Sequence, residues 1–315
     1  MTDQYSTIAG LYDAMAADPG LQAFYREWRR SLLEAAREHH VVIRDLVDLA
    51  CGTGNTATPW LERRDWRIVG VDSSPAMLRE ARKKSSAVRW YCQDLTRLRL
   101  ADCADAVTCH GDALNHILDA RSLQRVFANV AGLLRDGGLF LFDLNTGNML
   151  RWLAGREKLF RAGRHVFVAT NEFDPKRGIA TFHHTWFVAK GRLFEKREVT
   201  VRERAYSDAD VQRMLRTAGF RVANVKSQRK VEGKPARRLY TAIRRRTRRT
   251  AVRRASERAR HREPALAEAL PCTACQRAVR RRLRGALWDD PRRPGGARKA
   301  DRSERPSHRG HGQGA

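Results

Sequence analysis

Apolar and polar positions alternate along this chain in two rhythms, and the change falls near residue 158. Before it, short strand-like runs are followed by helix-like stretches. An amphipathic helix is predicted over about residues 20–38, where Leu21, Phe24, Trp28, Leu32 and Ala36 recur at helical spacing. RDLVDLA then predicts a strand, NTATPWLERR a helix, WRIVGVD a strand and SPAMLREARKK a helix. AVRWYCQ, DAVTCH and LFLFDLN predict three more strands. Between the last two, SLQRVFANVAGLLRDGG predicts a helix stopped by its glycines. Strands alternating with helices of this length predict a mostly parallel sheet covered on both faces.

Beyond residue 158 the period shortens to two. HVFVATNEF, IATFHHTWFVA and LFEKREVTVRERA read as strands joined by the turn sequences DPKRG and KG. A three-stranded antiparallel insertion is therefore expected over about residues 158–205. A helix over SDADVQRMLRTAG follows, with Ser207 as its cap and Gly219 as its stop. FRVANVKS and RRLYTAI supply two closing strands, and no internal repeat is visible.

Composition adds bounds. The chain has 315 residues, 42% of them hydrophobic, enough to bury a core in one large domain or two small ones. No run approaches the roughly 18 apolar residues of a membrane span, so no membrane partner is expected. The opening MTDQYSTIAGLYD lacks the pattern of a secretory leader, so a cytoplasmic location is expected. Cys51, Cys92, Cys103 and Cys109 lie in or beside apolar runs and read as buried small hydrophobes. Cys272 and Cys275 form a CxxC pair with no second pair or histidines at ligand spacing, so no metal is expected.

The net charge of +27 is unevenly spread: residues 244–315 hold 22 Lys and Arg against 7 Asp and Glu. A composition break near Ile243 divides the chain into a body, 1–243, and a basic low-complexity tail, 244–315. The tail is expected to be disordered, apart from a stretch at 250–287 that is compatible with a loose helix. It is read as a non-essential extension, with a nucleic-acid or anionic-surface arm as the alternative.

Chemistry concentrates in LVDLACGTGNTA, residues 46–57. A strand runs into Asp48, and Gly52 and Gly54 then let the backbone turn sharply and approach a ligand closely. A following helix would offer free amides beside that ligand. Twenty positions after Gly52, Asp72 ends the second strand, where a carboxylate can accept both hydrogen bonds of a ribose diol. Gly52-x-Gly54-x-x-Ala57 also satisfies a dinucleotide pattern. Two carboxylates tilt the choice. Asp48 would repel a pyrophosphate but suits a ligand's amino group, and Asp94 after the third strand can accept from an adenine amine.

The ordered set DLACGTGN, VGVDSSPAML, YCQDL, DAVTCHGDALNHI and LLRDGGLFLFDLNT resembles the class I S-adenosylmethionine-dependent methyltransferases. It looks most like their bacterial small-molecule branch, which carries an antiparallel insertion after the fifth strand. The likeness runs from about Tyr5 to Ile243; Asp136 stands where the family usually has proline, which alters one turn. The resemblance implies an α/β fold, a Rossmann-like doubly wound sheet of about seven strands, and S-adenosylmethionine as cofactor. It also implies residue roles. Asp48, Ala50, Gly52 and Gly54 would hold the methionine portion and Asp72 the ribose. Ser73 and Met77 would flank the adenosine, and Asp94 and Leu95 would meet the adenine. His110 and Gly111 would line the sulfonium. Tyr5 and Tyr12 match aromatic positions of an N-terminal lid, with simple helix packing the equal alternative.

Methyl transfer from a sulfonium is an in-line displacement in which alignment supplies much of the catalysis, and a hydroxyl acceptor would also need a general base. Candidates at the cofactor rim are His110, Asp112, Asn115 and His116. His183, His184 and Trp186 could line an acceptor pocket from the insertion, although strand alternation puts the two histidines on opposite faces. Arg202, Arg204 and Tyr206 could bind an acidic acceptor, or form a solvated face. The partner expected is a small-molecule N or O acceptor; the oligomeric state stays open. An RNA or protein methyltransferase using the basic tail is the first alternative, and it lacks an Asn-Pro-Pro-Tyr motif or a Pro-Cys after the fourth strand. A dehydrogenase is disfavoured by Asp48 and by the lack of a Tyr-x-x-x-Lys pair. A non-catalytic nucleic-acid binder on a degenerate core is disfavoured by the intact Asp48, Gly52, Gly54, Asp72 and Asp94 set.

Overall fold

A computed structural model describes residues 5–101 and 103–246. The expectations for the basic tail beyond residue 246, for Cys272 and Cys275, and for a helix within 250–287 lie outside the described residues. The chain opens with α1 (Ala9–Ala16) and α2 (Pro19–Glu38), the latter capped by Asp18, whose carboxylate accepts from the Gly20 and Leu21 amides. Alternation then begins: β1 (Asp45–Leu49), β2 (Arg67–Asp72), α3 (Pro75–Lys84), β3 (Arg89–Cys92), β4 (Ala104–Cys109), α4 (Ala120–Leu133) and β5 (Leu134–Asn145). After α5 (Gly147–Leu153) come β6 (Lys158–Ala162), β7 (His165–Asp174), β8 (Ile179–Lys190) and β9 (Leu193–Arg204). The described chain closes with α6 (Asp208–Thr217), β10 (Phe220–Val231) and β11 (Lys234–Arg244).

Seven strands make one sheet in the order β10-β11-β5-β4-β1-β2-β3. The five on the β5 to β3 side are parallel; β11 joins β5 antiparallel and β10 closes as a hairpin. The central strands are buried on both sides, and their alternation feeds two cores. Leu46, Leu139 and Leu141 point toward Leu32, Ala35 and Ala36 of α2. Val47, Leu49, Phe140 and Phe142 point toward Leu123, Val126 and Phe127 of α4 and Val211 and Leu215 of α6. This is the doubly wound α/β architecture expected, and it puts the C-terminal ends of β1, β2, β4 and β5 along one edge, where such sheets bind ligands.

The second sheet is antiparallel, in the order β6-β7-β8-β9, one strand more than expected. The extra strand, KLFRA, was hidden by its flanking charges. One face buries Phe167, Phe182, Trp186, Val199 and Val201 against Ile8 and Leu11 near the N-terminus and Leu150 of α5. The N-terminal segment is thus wedged between the insertion and the main sheet.

Three local expectations are corrected. NTATPWLERR forms turns and a short 3-10 helix, Thr58–Glu62, around Pro59 in place of an α-helix. The helix before β5 ends at Leu133, and the strand begins at once, with Gly137 at φ 87° inside that segment. Cys92 is exposed. Among the described residues no helix is long and apolar enough to cross a membrane.

Phe142 has 0% exposure and stacks on Phe140 at 4.7 Å and Tyr240 at 4.9 Å between ring centroids. Phe142→Ala is expected to cost about 3–5 kcal/mol, read from urea unfolding midpoints; a loss under about 1 kcal/mol would show that this layer can collapse around the gap.

Candidate active site

The loop after β1 carries three left-handed backbones, at Ala50 (φ 51°), Gly52 (φ 54°) and Gly54 (φ 83°). A Cβ on Gly54 would stand 2.7 Å from the Trp90 ring, so only glycine fits; a Cβ on Gly52 would meet no protein atom within 4 Å. Gly52 therefore borders open space while its amide donates to Asp72 Oδ2 at 2.8 Å. Asp72 Oδ1 accepts from the Ser74 amide at 2.8 Å, so this half-buried carboxylate locks the loop to the end of β2. The free helical amides expected here are not found: the Gly54 amide bonds Cys51 O and the Thr58 amide bonds Gly54 O.

Asp48 is 1% exposed, and its oxygens accept from the Thr56 hydroxyl at 2.5 Å and the Thr108 hydroxyl at 2.7 Å. Burial pushes its carboxyl up. It braces β1, β4 and the loop. At the neighbouring strand ends, Ser73 is exposed and Met77 is buried against Ala9, with Tyr5 and Tyr12 packed on that cluster. Asp94 Oδ1 caps a 3-10 turn through the Thr96 amide and hydroxyl, both 2.8 Å. Leu95 packs on the main core.

The end of β4 turns through His110, Gly111 (φ 74°) and Asp112 (φ 53°). His110 stacks on Trp28 of α2, with ring centroids 4.7 Å apart and planes 4° apart. The Gly111 and Asp112 amides donate to the two oxygens of Asp143, at 2.8 and 3.1 Å. Asp143 has 0% exposure; burial pushes its carboxyl up, but Arg237 and His110 beside it hold it below the usual range. Arg237 bridges Asp143 and Asp112, the latter at 2.8 Å, and its own burial is outweighed by these acids, which hold it charged.

Asn145, at the end of β5, donates to Asp112 Oδ2 at 2.7 Å and to Glu203 Oε2 at 2.9 Å. Glu203 is 6% exposed, and burial, reinforced by Asp112, pushes its carboxyl up to about 8. His116 meets the Arg202 carbonyl through Nδ1 and the Tyr5 hydroxyl through Nε2, both at 3.1 Å. A carbonyl only accepts, so this geometry assigns the proton to Nδ1 and leaves Nε2 to accept from Tyr5. Asp112, His116 and Glu203 bring ligand atoms within 4.8 Å of one another. That grouping could hold a cation, but Arg237 on Asp112 and the engaged His116 nitrogens suit an organic ammonium better than a metal ion.

The N-terminal segment roofs the site. Asp13 of α1 accepts from the Thr53 hydroxyl at 2.5 Å, Asn55 at 2.9 Å and Lys84 at 2.6 Å, pinning the helix to the glycine loop. Tyr5, Tyr12 and Tyr25 all have their hydroxyls pushed up, first by burial, and Asp112 adds to the shift in each. All three hydroxyls are thus buried within electrostatic reach of Asp112.

Several residues named from the sequence sit elsewhere or do other work. Trp186 is 1% exposed in the insertion core, and His183 faces outward. Arg204 donates to Leu118 O and Tyr206 to Ile117 O, so both tie the end of the insertion to the loop after β4. Asn115 is a clamp: Nδ2 donates to Asn145 O at 3.0 Å and Arg204 O at 2.9 Å, while Oδ1 accepts from the Asn145 amide at 2.9 Å. His184 lies on the inner face against Phe167 and Phe182. Residues missed were Asp13, Tyr25, Trp28, Asp143, Glu203 and Arg237. Glu203 had a signal, since it ends the inward row Val199, Val201; Arg237 had none, because register alone sets it opposite Asn145. A separate cleft of about 490 Å³, lined by Arg151, Trp152, Arg156 and Lys234 among others, shares none of these residues.

Residues 46–138 match the family model described as a methyltransferase domain. That segment is a methyltransferase domain, and the strand order around it is that of the class I S-adenosylmethionine-dependent methyltransferases. Its cofactor is S-adenosylmethionine. A solved S-adenosylmethionine-dependent methyltransferase from Clostridium acetobutylicum is 28% identical, with a TM-score of 0.66, covering 76% of this chain and 99% of that one. A Geobacillus relative, itself named only provisionally as a methyltransferase, is 28% identical over 146 residues, 45% of this chain and 58% of that one. A trans-aconitate 2-methyltransferase of Acidovorax is 41% identical over 136 residues, 40% of this chain. The match spans 49% of that enzyme's length.

Two outcomes follow from this geometry. Asn115→Ala should cost about 2–4 kcal/mol, because it strands three buried backbone groups; urea unfolding checks it, and an unchanged midpoint would deny the clamp. Burial, with His116 and His183 nearby, lowers His184 from 6.5 to about 4. The unfolded chain then binds the extra proton first, so stability falls as pH drops from 6.5 toward 4. His184→Gln should lose less stability than the wild type between pH 7 and 5; equal losses would mean that this histidine is not the source.

Proposed function

We propose that the protein transfers the methyl group of S-adenosylmethionine to a nitrogen, or less suitably an oxygen, of a small-molecule acceptor. The observation that carries this reading is the cluster of Asp112, His116 and Glu203, whose ligand atoms lie within 4.8 Å of one another at the strand ends, with the Tyr5 hydroxyl on His116. When bound, the cofactor supplies an electrophilic methyl on sulfur. Asp72 would bind its ribose, and Ala50, Gly52 and Gly54 would give its methionine portion close backbone approach. Ser73, Met77, Asp94 and Leu95 would surround the adenosine, and His110 and Gly111 would border the sulfonium. The open space over Gly52 supports this fit.

The acceptor end holds three carboxylates, Asp112, Asp143 and Glu203, against one guanidinium, Arg237. Such an excess favours an amine and disfavours an acid of the kind the Acidovorax relative's name specifies. A space roofed by Tyr5, Tyr12 and Tyr25 also favours a small acceptor over RNA or protein. A body of residues 1–243 acting without the tail is part of this reading.

The test is calorimetric titration of the full chain with S-adenosylmethionine, with NADH as control. Micromolar binding of the sulfonium alone is expected. Asp72→Ala and Gly52→Val should each weaken it at least about tenfold with unchanged circular dichroism. Binding of NADH alone, or normal affinity in both variants, would overturn the assignment.

A further inference from the structure

Resting on the methyl-transfer reading, we propose that Glu203 is the group that takes the proton from the acceptor nitrogen. Three groups border that end of the site, and two are already tied to other partners, one of them to a guanidinium. His116 Nδ1 faces the Arg202 carbonyl, and its Nε2 lone pair is met by the Tyr5 hydroxyl. Asp112 Oδ2 receives both Arg237 and Asn145. Glu203 differs. Asn145 fixes Oε2, while Oε1 takes no hydrogen bond among the described residues, in a side chain whose residue is 6% exposed. One of its carboxylate oxygens lies within 4.8 Å of the ligand atoms of Asp112 and His116, so the carboxylate belongs to the same cluster.

Its position follows from strand period. Along β9, Val199, Val201 and Glu203 are buried while Thr200 and Arg202 are exposed. The last inward residue therefore emerges from the insertion's apolar face just where β9 meets Asn115 and Asn145. The charged and titratable groups facing it are Asp112 and His116 from the turn after β4, Asp143 from β5, Arg237 from β11 and Tyr5 from the lid. Burial and Asp112 raise its affinity for a proton to near the working pH, which suits a base that must take a proton and return it.

In the step, the acceptor nitrogen's lone pair forms the new N–C bond. The C–S bond breaks and its electron pair returns to sulfur, leaving a neutral thioether. The positive charge passes to nitrogen, and the proton shed there goes to Glu203 Oε1, giving a neutral carboxylic acid.

The experiment uses two ligands on the full chain: S-adenosylhomocysteine, and sinefungin, which carries an amine-bearing carbon in place of the sulfonium methyl. The wild type should bind sinefungin about tenfold more tightly than S-adenosylhomocysteine. That ratio should rise with pH between 6.5 and about 8 as Glu203 ionises. Glu203→Gln should leave S-adenosylhomocysteine affinity unchanged and abolish both the preference and its pH dependence. Glu203→Asp should keep the pH dependence with a smaller preference, which a merely structural role would not produce. A Glu203→Gln protein that keeps the full pH-dependent preference overturns the inference while leaving the cofactor reading intact. Failure of the wild type to bind S-adenosylhomocysteine overturns the cofactor reading, and this inference with it.

Discussion

Asp143 sits at the bottom of the acceptor end with no exposed surface, and it organises what lies above it through both oxygens. One receives the Gly111 amide, and the other receives the Asp112 amide and the Arg237 guanidinium. A buried carboxylate is tolerable only with such compensation. The same bonds that solvate it hold Gly111 and Asp112 in left-handed conformations, the second of which a non-glycine residue adopts at a cost. The turn after β4 therefore does not relax, and Asp112 is held over Asn145 and beside Glu203. Arg237 completes the arrangement from a strand that joins the sheet antiparallel, which explains why the closing hairpin matters to a site built mostly from parallel strands.

The donor end is organised differently. There the backbone is the material, and Asp72 and Asp48 hold it from two sides, one by amides and the other by threonine hydroxyls. The N-terminal segment then binds both ends at once. Asp13 reaches Thr53, Asn55 and Lys84 at the glycine loop, and Tyr5 reaches His116 at the acceptor turn. Ile8 and Leu11, between them, are buried against the insertion sheet. One short stretch of chain thus couples three parts of the molecule, and its tyrosines contribute large apolar surfaces whose hydroxyls remain un-ionised.

Much of the fold was legible in the sequence because periodicity records burial. Leu46 and Val47, or Leu139 and Phe140, face opposite cores, and uninterrupted apolar runs of this kind mark strands covered on both sides. The glycine loop and Asp72 were legible because their spacing follows from one strand–loop–strand unit. What escaped is set by register and tertiary contact. Arg237 acquires its role from lying opposite Asn145 across β11 and β5, and Asp13 from a helix packing over a distant loop. Local rules also did not foresee the structural bonds of Asn115, Arg204 and Tyr206, whose polar groups satisfy carbonyls at the junction of insertion and core. The helix expected after Gly54 failed because Pro59 and the Thr58 hydroxyl bond to Gly54 O favour a tighter turn.

The groups of the two ends are distributed unequally along the chain. Apart from the lid, those of the donor end fall between Asp48 and Gly111, within the stretch that matches the methyltransferase family. The acceptor end proposed above would draw on Tyr5, Asp112, His116, Asn145, Glu203 and Arg237, four of them outside that stretch. The two halves can therefore be inherited at different tempos. On the proposed reading, a different insertion or closing hairpin would change the choice of acceptor and leave the donor half as it is. Kinship measured over the donor half dates the chemistry and is silent about the diet.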